Sequence, residues 1–433
     1  MKNWLNGSFA LGTGVPALLL LMLPPTVAAQ QVIAPEHAGG IVHIFPSDLA
    51  VLDAGQVRTD LPCDVTDPKP ALGFDLRFHV GYQATVPLAQ LAGDGGQLTV
   101  LFRVYPQGEE RDAEYFVQHF RVPPIQDNAK GDATLSGGVD VGEGSYHVDW
   151  LMRDRSERVC ASSWDTEAKL GPKNQMPLFL ARNEIRESLP GPFVNEPPSH
   201  RQKKTAGALR LKLLVNFAPQ NEHADMLDRS DTGALVSILK EIERDPRVGR
   251  ISLVAFDLPQ TRVVYRQHAA KRIDFPALGK ALHTVKLGTV NVARLAQKHS
   301  ETDFLENLIE REVAGSKHPD AIVFAGPQAM LDANVPKNDL RRIGNIECPV
   351  FYMNYNLDPR AVPWKDAISH AISVFKGTQY TISTPRQLWS ATSAMLNRVI
   401  RLKHERAEAQ AASNSRPGVR VRADDLLSPS GSH

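Results

Sequence analysis

Two rhythms divide this chain. From about 41 to 164 apolar and polar residues alternate. Phe74, Leu76, Phe78, Val80 and Tyr82 are interleaved with Asp75, Arg77, His79 and Gly81, and the same period of two returns in Leu98, Val100, Phe102 and Val104 and in Tyr146, Val148, Trp150 and Met152. Such alternation puts one face of a strand in a core and the other in water. Turn-forming runs at 92–96 (AGDGG) and 105–108 (YPQG) separate the strands, and no helical stretch lies between them. Strands of this kind must bury their apolar faces on a second sheet, so 30–169 is expected to be an antiparallel β-sandwich. The glycine-rich run 131–144 has no helix after it and reads as a hairpin rather than a phosphate cradle.

The second half has the other rhythm. Leu211, Leu213, Leu214 and Val215 form a nearly continuous apolar run, as do 251–256, 321–325 and 350–353. Strands apolar on both faces belong in a parallel sheet covered by helices. The helices fall in the gaps: Leu235, Ile238, Leu239 and Ile242 keep helical spacing, and Leu388, Ala391, Met395, Val399 and Leu402 mark a final helix. Ser300 and Asp303 suggest a capped start for the helix carrying Phe304, Leu305, Leu308 and Ile309. The strand 261–267 follows Phe256 after only 257–260, too short for a right-handed crossover, so it must run antiparallel, at an edge. The expected fold class is therefore multidomain β plus α/β, with the sandwich followed by a doubly wound, mostly parallel sheet over 208–403. A proline-rich, solvated linker is expected at 170–207 and a disordered tail at 404–433.

Composition narrows the partners. Lys+Arg 49 against Asp+Glu 48 leaves a formal charge of +1, which calls for neither nucleic acid nor an anionic membrane. Lys2, the apolar run 15–23, Pro24 and Pro25, and the small residues Val27, Ala28 and Ala29 read as a signal peptide, 1–29, cleaved before Gln30. That apolar run is too short to span a bilayer and no later one is long enough, so the mature chain is expected to have no membrane span and to be secreted or periplasmic. Of three cysteines, Cys63 and Cys160 flank the first domain and are expected to form a disulfide, worth up to about 4.7 kcal/mol for a loop of about 100 residues. The alternative is two buried thiols. Cys348, beside an apolar run, is expected to be a core thiol.

A parallel open sheet with one antiparallel edge strand entered by a tight hairpin resembles the von Willebrand factor A domains, over about 209–402. The resemblance implies a metal-ion-dependent adhesion site, built from D-x-S-x-S after the first strand, a loop threonine and an aspartate after the fourth. Here Asn216 stands for the aspartate, Ala218 for the first serine and Gln220 for the second. Thr289 is available for the loop threonine, and Ala325, Gly326 and Pro327 replace the usual threonine, aspartate and glycine. With both carboxylates missing, magnesium loses the ligands it chiefly uses, so neither metal nor cofactor is expected. Ligands of open α/β sheets sit outside the carboxyl ends of the strands, where strand order switches. The candidate binding residues there are Asn216, Gln220, Asn221, Thr289 and Asn291, with Tyr352, Asn354, Tyr355 and Asn356 enlarging the rim. The alternative is that these amides only cap loop backbone.

Catalytic signatures are missing: no H-E-x-x-H, G-x-S-x-G, P-loop or paired Cys-x-x-Cys occurs. His43, His79, His119 and His147 fall mostly on polar strand faces, and His119 and His147 are placed to meet across a sheet. The expectation is an exported, non-catalytic binding module with a protein or cell-surface partner. The alternatives are an enzyme with an unrecognised site at the sheet's carboxyl edge or in the interdomain cleft, and a scaffold without a ligand.

Overall fold

The computed structural model describes residues 31–33, 44–196, 208–219, 227–284, 299–313, 319–328, 331, 333–343, 346, 348–357 and 366–414. The expected signal peptide, 1–29, lies outside them.

The strands of the first half are β1 (Gln31–Ile33), β2 (Arg58–Thr59), β3 (Asp64–Thr66), β4 (Ala71–Leu72), β5 (Phe78–Pro87), β6 (Gly96–Pro106), β7 (Glu114–Val122), β8 (Asp132–Val141), β9 (Gly144–Arg153), β10 (Val159–Ala168) and β11 (Ile185–Glu187). One sheet runs β1-β8-β5-β3, with β11 added to β8 and β4 to β5; the other runs β2-β10-β9-β6-β7. The pairings are antiparallel except β1 with β8. The alternation read from sequence is the burial pattern seen: Phe78, Val80 and Tyr82 meet Phe102, Trp150 and Met152 in one core between the sheets. Helix α1 (Pro46–Ala54) lays Leu52 on the outer face of the second sheet, against Leu101 and Leu151. Cys63 and Cys160 form a disulfide, their Cα atoms 6.3 Å apart, and Cys348 is a buried free thiol.

Besides α1, which lies inside the stretch read as strands only, three expectations for this half change. Phe74 and Leu76 do not belong to a strand: a tight turn closes from Gly73 to Arg77, with backbone bonds of 2.9 and 3.0 Å, and holds Leu76 at φ 64°. The run 131–144 is not a hairpin, because β8 and β9 lie in different sheets. Gly142 serves instead for close approach, since a Cβ there would fall 1.7 Å from the Ala181 carbonyl oxygen. The stretch 170–196 is not a solvated linker: β11 pairs with β8, Leu170 and Leu180 are buried, and Glu196 is buried among charges. Its apolar anchors are too few and too widely spaced to show a period, yet Leu170, Met176, Leu178 and Ile185 pack on the sandwich core, while Phe193 packs on the core of the second half. The rest of the expected linker, 197–207, lies outside the described residues.

The second half contains β12 (Leu209–Asn216), β13 (Val248–Asp257), β14 (Arg262–Ala270), β15 (Ala321–Pro327), β16 (Val350–Tyr355) and β17 (Thr378–Ile382). Its helices are α2 (Arg229–Arg244), α3 (Phe275–Thr284), α4 (Ser300–Val313), α5 (Lys337–Arg342), α6 (Ala367–Val374) and α7 (Pro385–Asn414). They form a mixed six-stranded sheet in the order β14-β13-β12-β15-β16-β17, parallel throughout except for the antiparallel edge strand β14. One face, with Leu211, Leu213 and Val215, packs on α2, α3 and α7. The other, with Leu214, Phe324 and Tyr352, packs on α4, α5 and α6. Leu235, Ile238, Leu239 and Ile242 are fully buried, as their spacing requires. The last helix runs on to Asn414 where a disordered tail was expected from 404, because its Ala, Glu and Arg residues keep helical propensity after the apolar stripe ends. Residues 415–433 lie outside the described set.

Candidate functional site

Strand order in the α/β half turns around between β12 and β15, and a row of residues crosses the carboxyl edge there. Asn216 pairs in register with Phe256, Gly326 with Asn354, and Asn354 with Thr381. Gly326 lies directly against Asn216: it has φ 146°, and a Cβ would fall 2.7 Å from the Asn216 carbonyl oxygen, so only glycine fits. Leu214, Phe324 and Tyr352 share one face of the sheet, and two residues further along each strand Asn216, Gly326 and Asn354 share it too.

Both carboxamides are fully buried. Asn216 Oδ1 accepts from the backbone N–H groups of Ala218 and Leu258, at 3.2 and 3.4 Å, while its Nδ2 has no partner. Asn354 has none for either Nδ2 or Oδ1. Each buried polar group left unpaired costs about 1–3 kcal/mol. Beside them the Tyr352 hydroxyl lies 2.9 Å from both Asp366 Oδ2 and the Pro327 carbonyl oxygen, and burial with the Asp366 charge drives it well above its ordinary pKa of 10. Asp366 in turn caps α6 through Ser369 N at 2.7 Å.

Of the residues expected from sequence, Asn216 is at this edge and does cap backbone. Gln220, Asn221, Thr289 and Asn291 lie outside the described residues. Asn354, expected only as rim, stands in the row itself. The edge is also less neutral than expected. Asp228, which caps α2 through Asp231 N at 2.7 Å, and Asp231 act together with burial to push up the Tyr355 hydroxyl at the end of β16. Burial and the Asp228 charge raise Asp231 itself to about 6. Both lie at a helix start, a position that reads as capping chemistry and conceals their approach to the sheet.

A second cluster has no forerunner in the sequence reading. Asp75, His79 and Asp140 place one ligand atom each within 4.8 Å of one another, a spacing that can hold a metal ion. The donors are already committed, however. His79 Nε2 is 3.2 Å from Asp75 and Nδ1 2.8 Å from Asp140, while Asp140 also accepts from Arg77 at 3.0 Å and from Ser188 Oγ at 2.6 Å. Burial pushes the imidazole down, but hydrogen bonds and charge from Asp140 and Asp75 outweigh it and raise its pKa to about 10. Two cations thus balance two carboxylates in an ion-pair cluster. His119 and His147 do not meet: the first lies 3.3 Å from Thr99 Oγ1, and the second pairs with Asp165 and Asp149.

No family model matches the chain, and no curated protein matches it. Among solved structures, the PilB minor pilin from Streptococcus sanguinis is similar at 7% identity over 70% of this chain and 87% of that one, with a TM-score of 0.25. Bacteroides uniformis beta-glucuronidase 2 is similar at 10% identity over 79% of this chain and 32% of its own, with a TM-score of 0.17. A structural genomics target, SoR45, is covered in full by 30% of this chain at 9% identity, with a TM-score of 0.18. These likenesses are too slight to bear on fold or function.

Proposed function

We propose that this chain is an exported binding protein whose second half is a von Willebrand factor A-like, doubly wound domain that engages a protein or cell-surface partner without a metal ion. The strand order, with its single antiparallel edge strand, supports the fold reading. The disulfide suits an oxidising compartment, and among the described residues no helix is long and apolar enough to cross a membrane.

The observation that carries the binding reading is the pair of buried carboxamides flanking Gly326, with donors and an acceptor unspent. A fold that keeps such groups at the point where open α/β sheets bind ligands accepts a cost in stability there, and binding sites are where that cost is usually met. The test uses the chain from Gln30 onward, immobilised and exposed to cell-envelope fractions with and without EDTA. Retention of a partner that is indifferent to EDTA and lost in a folded Asn354→Leu variant supports the proposal. Retention unchanged by that variant, or magnesium binding by calorimetry, refutes it.

A further inference from the structure

The turn between Gly73 and Arg77 belongs to the β half, yet two of its residues touch the α/β half and a third reaches it through Glu196. Phe74 packs against the α/β core. The Asp75 carbonyl accepts from Arg244 at 3.0 Å. Arg77, only 4 % exposed, reaches Glu196 at 3.5 Å, and Glu196 is held by Arg244 at 2.6 and 2.8 Å and by Lys240 at 3.4 Å. This turn is the docking element of the junction.

His79 braces the turn from one side, beside the backbone bonds that close it and the Arg77 N–H that Asp75 Oδ1 accepts at 3.3 Å. Its ring faces Asp75 in the turn through Nε2 and Asp140 on β8 through Nδ1. These two carboxylates are the charged groups that face it, and Arg77 stands behind Asp140. The ring, 43 % exposed, lies against the turn closely enough that a Cβ on Gly73 would fall 2.3 Å from Nε2. An imidazolium donates from both nitrogens, whereas a neutral imidazole has a single N–H and can serve only one carboxylate. The longer contact, to Asp75, is the one to be given up.

We propose that His79 is a proton-operated buttress of the docking turn, so that loss of its proton releases Asp75 from the ring and uncouples the two halves of the chain. The sign is that of a raised histidine: the contribution is whole below the ordinary value of 6.5 and disappears as pH rises through about 10. The coupling is therefore intact at neutral pH and is lost in alkali.

Scanning calorimetry of the full chain from pH 6 to 10.5 tests this. The wild type should melt in one transition at pH 6 that splits into two near pH 10, and His79→Gln should show two at every pH. Gly73→Ala, which pushes the ring from the turn, should behave like His79→Gln and serves if that variant fails to fold. A single wild-type transition throughout, a single transition in the variants, or an NMR titration of His79 with a midpoint near 6.5 would overturn the proposal.

Discussion

Arg77 and Arg244, one from each half of the chain, both lie against the ring of Phe179, with guanidinium carbons 4.2 and 4.4 Å from its centre. Two like charges share one aromatic surface because Glu196 forms an ion pair with both. Replacing Glu196 with Gln leaves Arg77, Lys240 and Arg244 buried without that carboxylate. Breaking a buried pair in this way costs about 3–5 kcal/mol. Equilibrium denaturation should show an unfolding free energy lower by that amount, and an unchanged value would mean the cluster is solvated.

The same cluster sets an acid limit. Burial raises both Glu196 and Asp75, but Arg244, Arg77 and Lys240 around the first and His79 with its neighbours around the second hold both below their ordinary values. Their contribution is whole above about pH 4.5 and is lost as pH falls through the folded values. Glu196→Gln should therefore flatten the acid limb of a stability-against-pH curve measured in urea.

The two carboxamides should respond in opposite directions to the same substitution. Asn354→Leu removes a group with no partner, so stability should hold or rise by about 1 kcal/mol. Asn216→Leu strips the acceptor from Ala218 N and Leu258 N and should cost about 1–3 kcal/mol. Urea midpoints measured side by side decide this, and equal losses at both sites would show that Asn354 is paired in solution.

Asp231 offers a pH test at the start of α2. Burial and Asp228 raise it from 3.8 to about 6, so the native state holds its proton more tightly than the unfolded chain does. Stability should fall as pH rises from 3.8 to about 6 and stay flat above. Asp231→Asn should remove that fall, leaving the variant more stable than wild type at pH 8 and no more stable at pH 3. Equal stability at both pH values would place Asp231 in solvent, and the reverse order would mean that the helix N-terminus stabilises its carboxylate.

Much of the architecture was legible because burial of one face leaves a local period. The alternation around Val80 and Val100, the helical spacing of Leu235, Ile238, Leu239 and Ile242, and the short 257–260 connection each report a neighbour within a few residues. Asn216 was placed at the carboxyl edge through the resemblance, as the residue standing for the motif's aspartate at the end of an apolar strand. Phe74 misled because its period continues that of β5, although the turn hands its ring to the other half.

The sequence by itself determined the two rhythms, the antiparallel edge strand and the nature of each core, since these follow from which side chains avoid water along a short stretch. Only the tertiary structure decided that 170–196 joins the sandwich, that Asn354 stands across Gly326 from Asn216, and that His79 braces a turn docked on Arg244. Charges and amides find partners through space, at separations that leave no period in the chain, and their worth depends on the burial that only the folded molecule supplies.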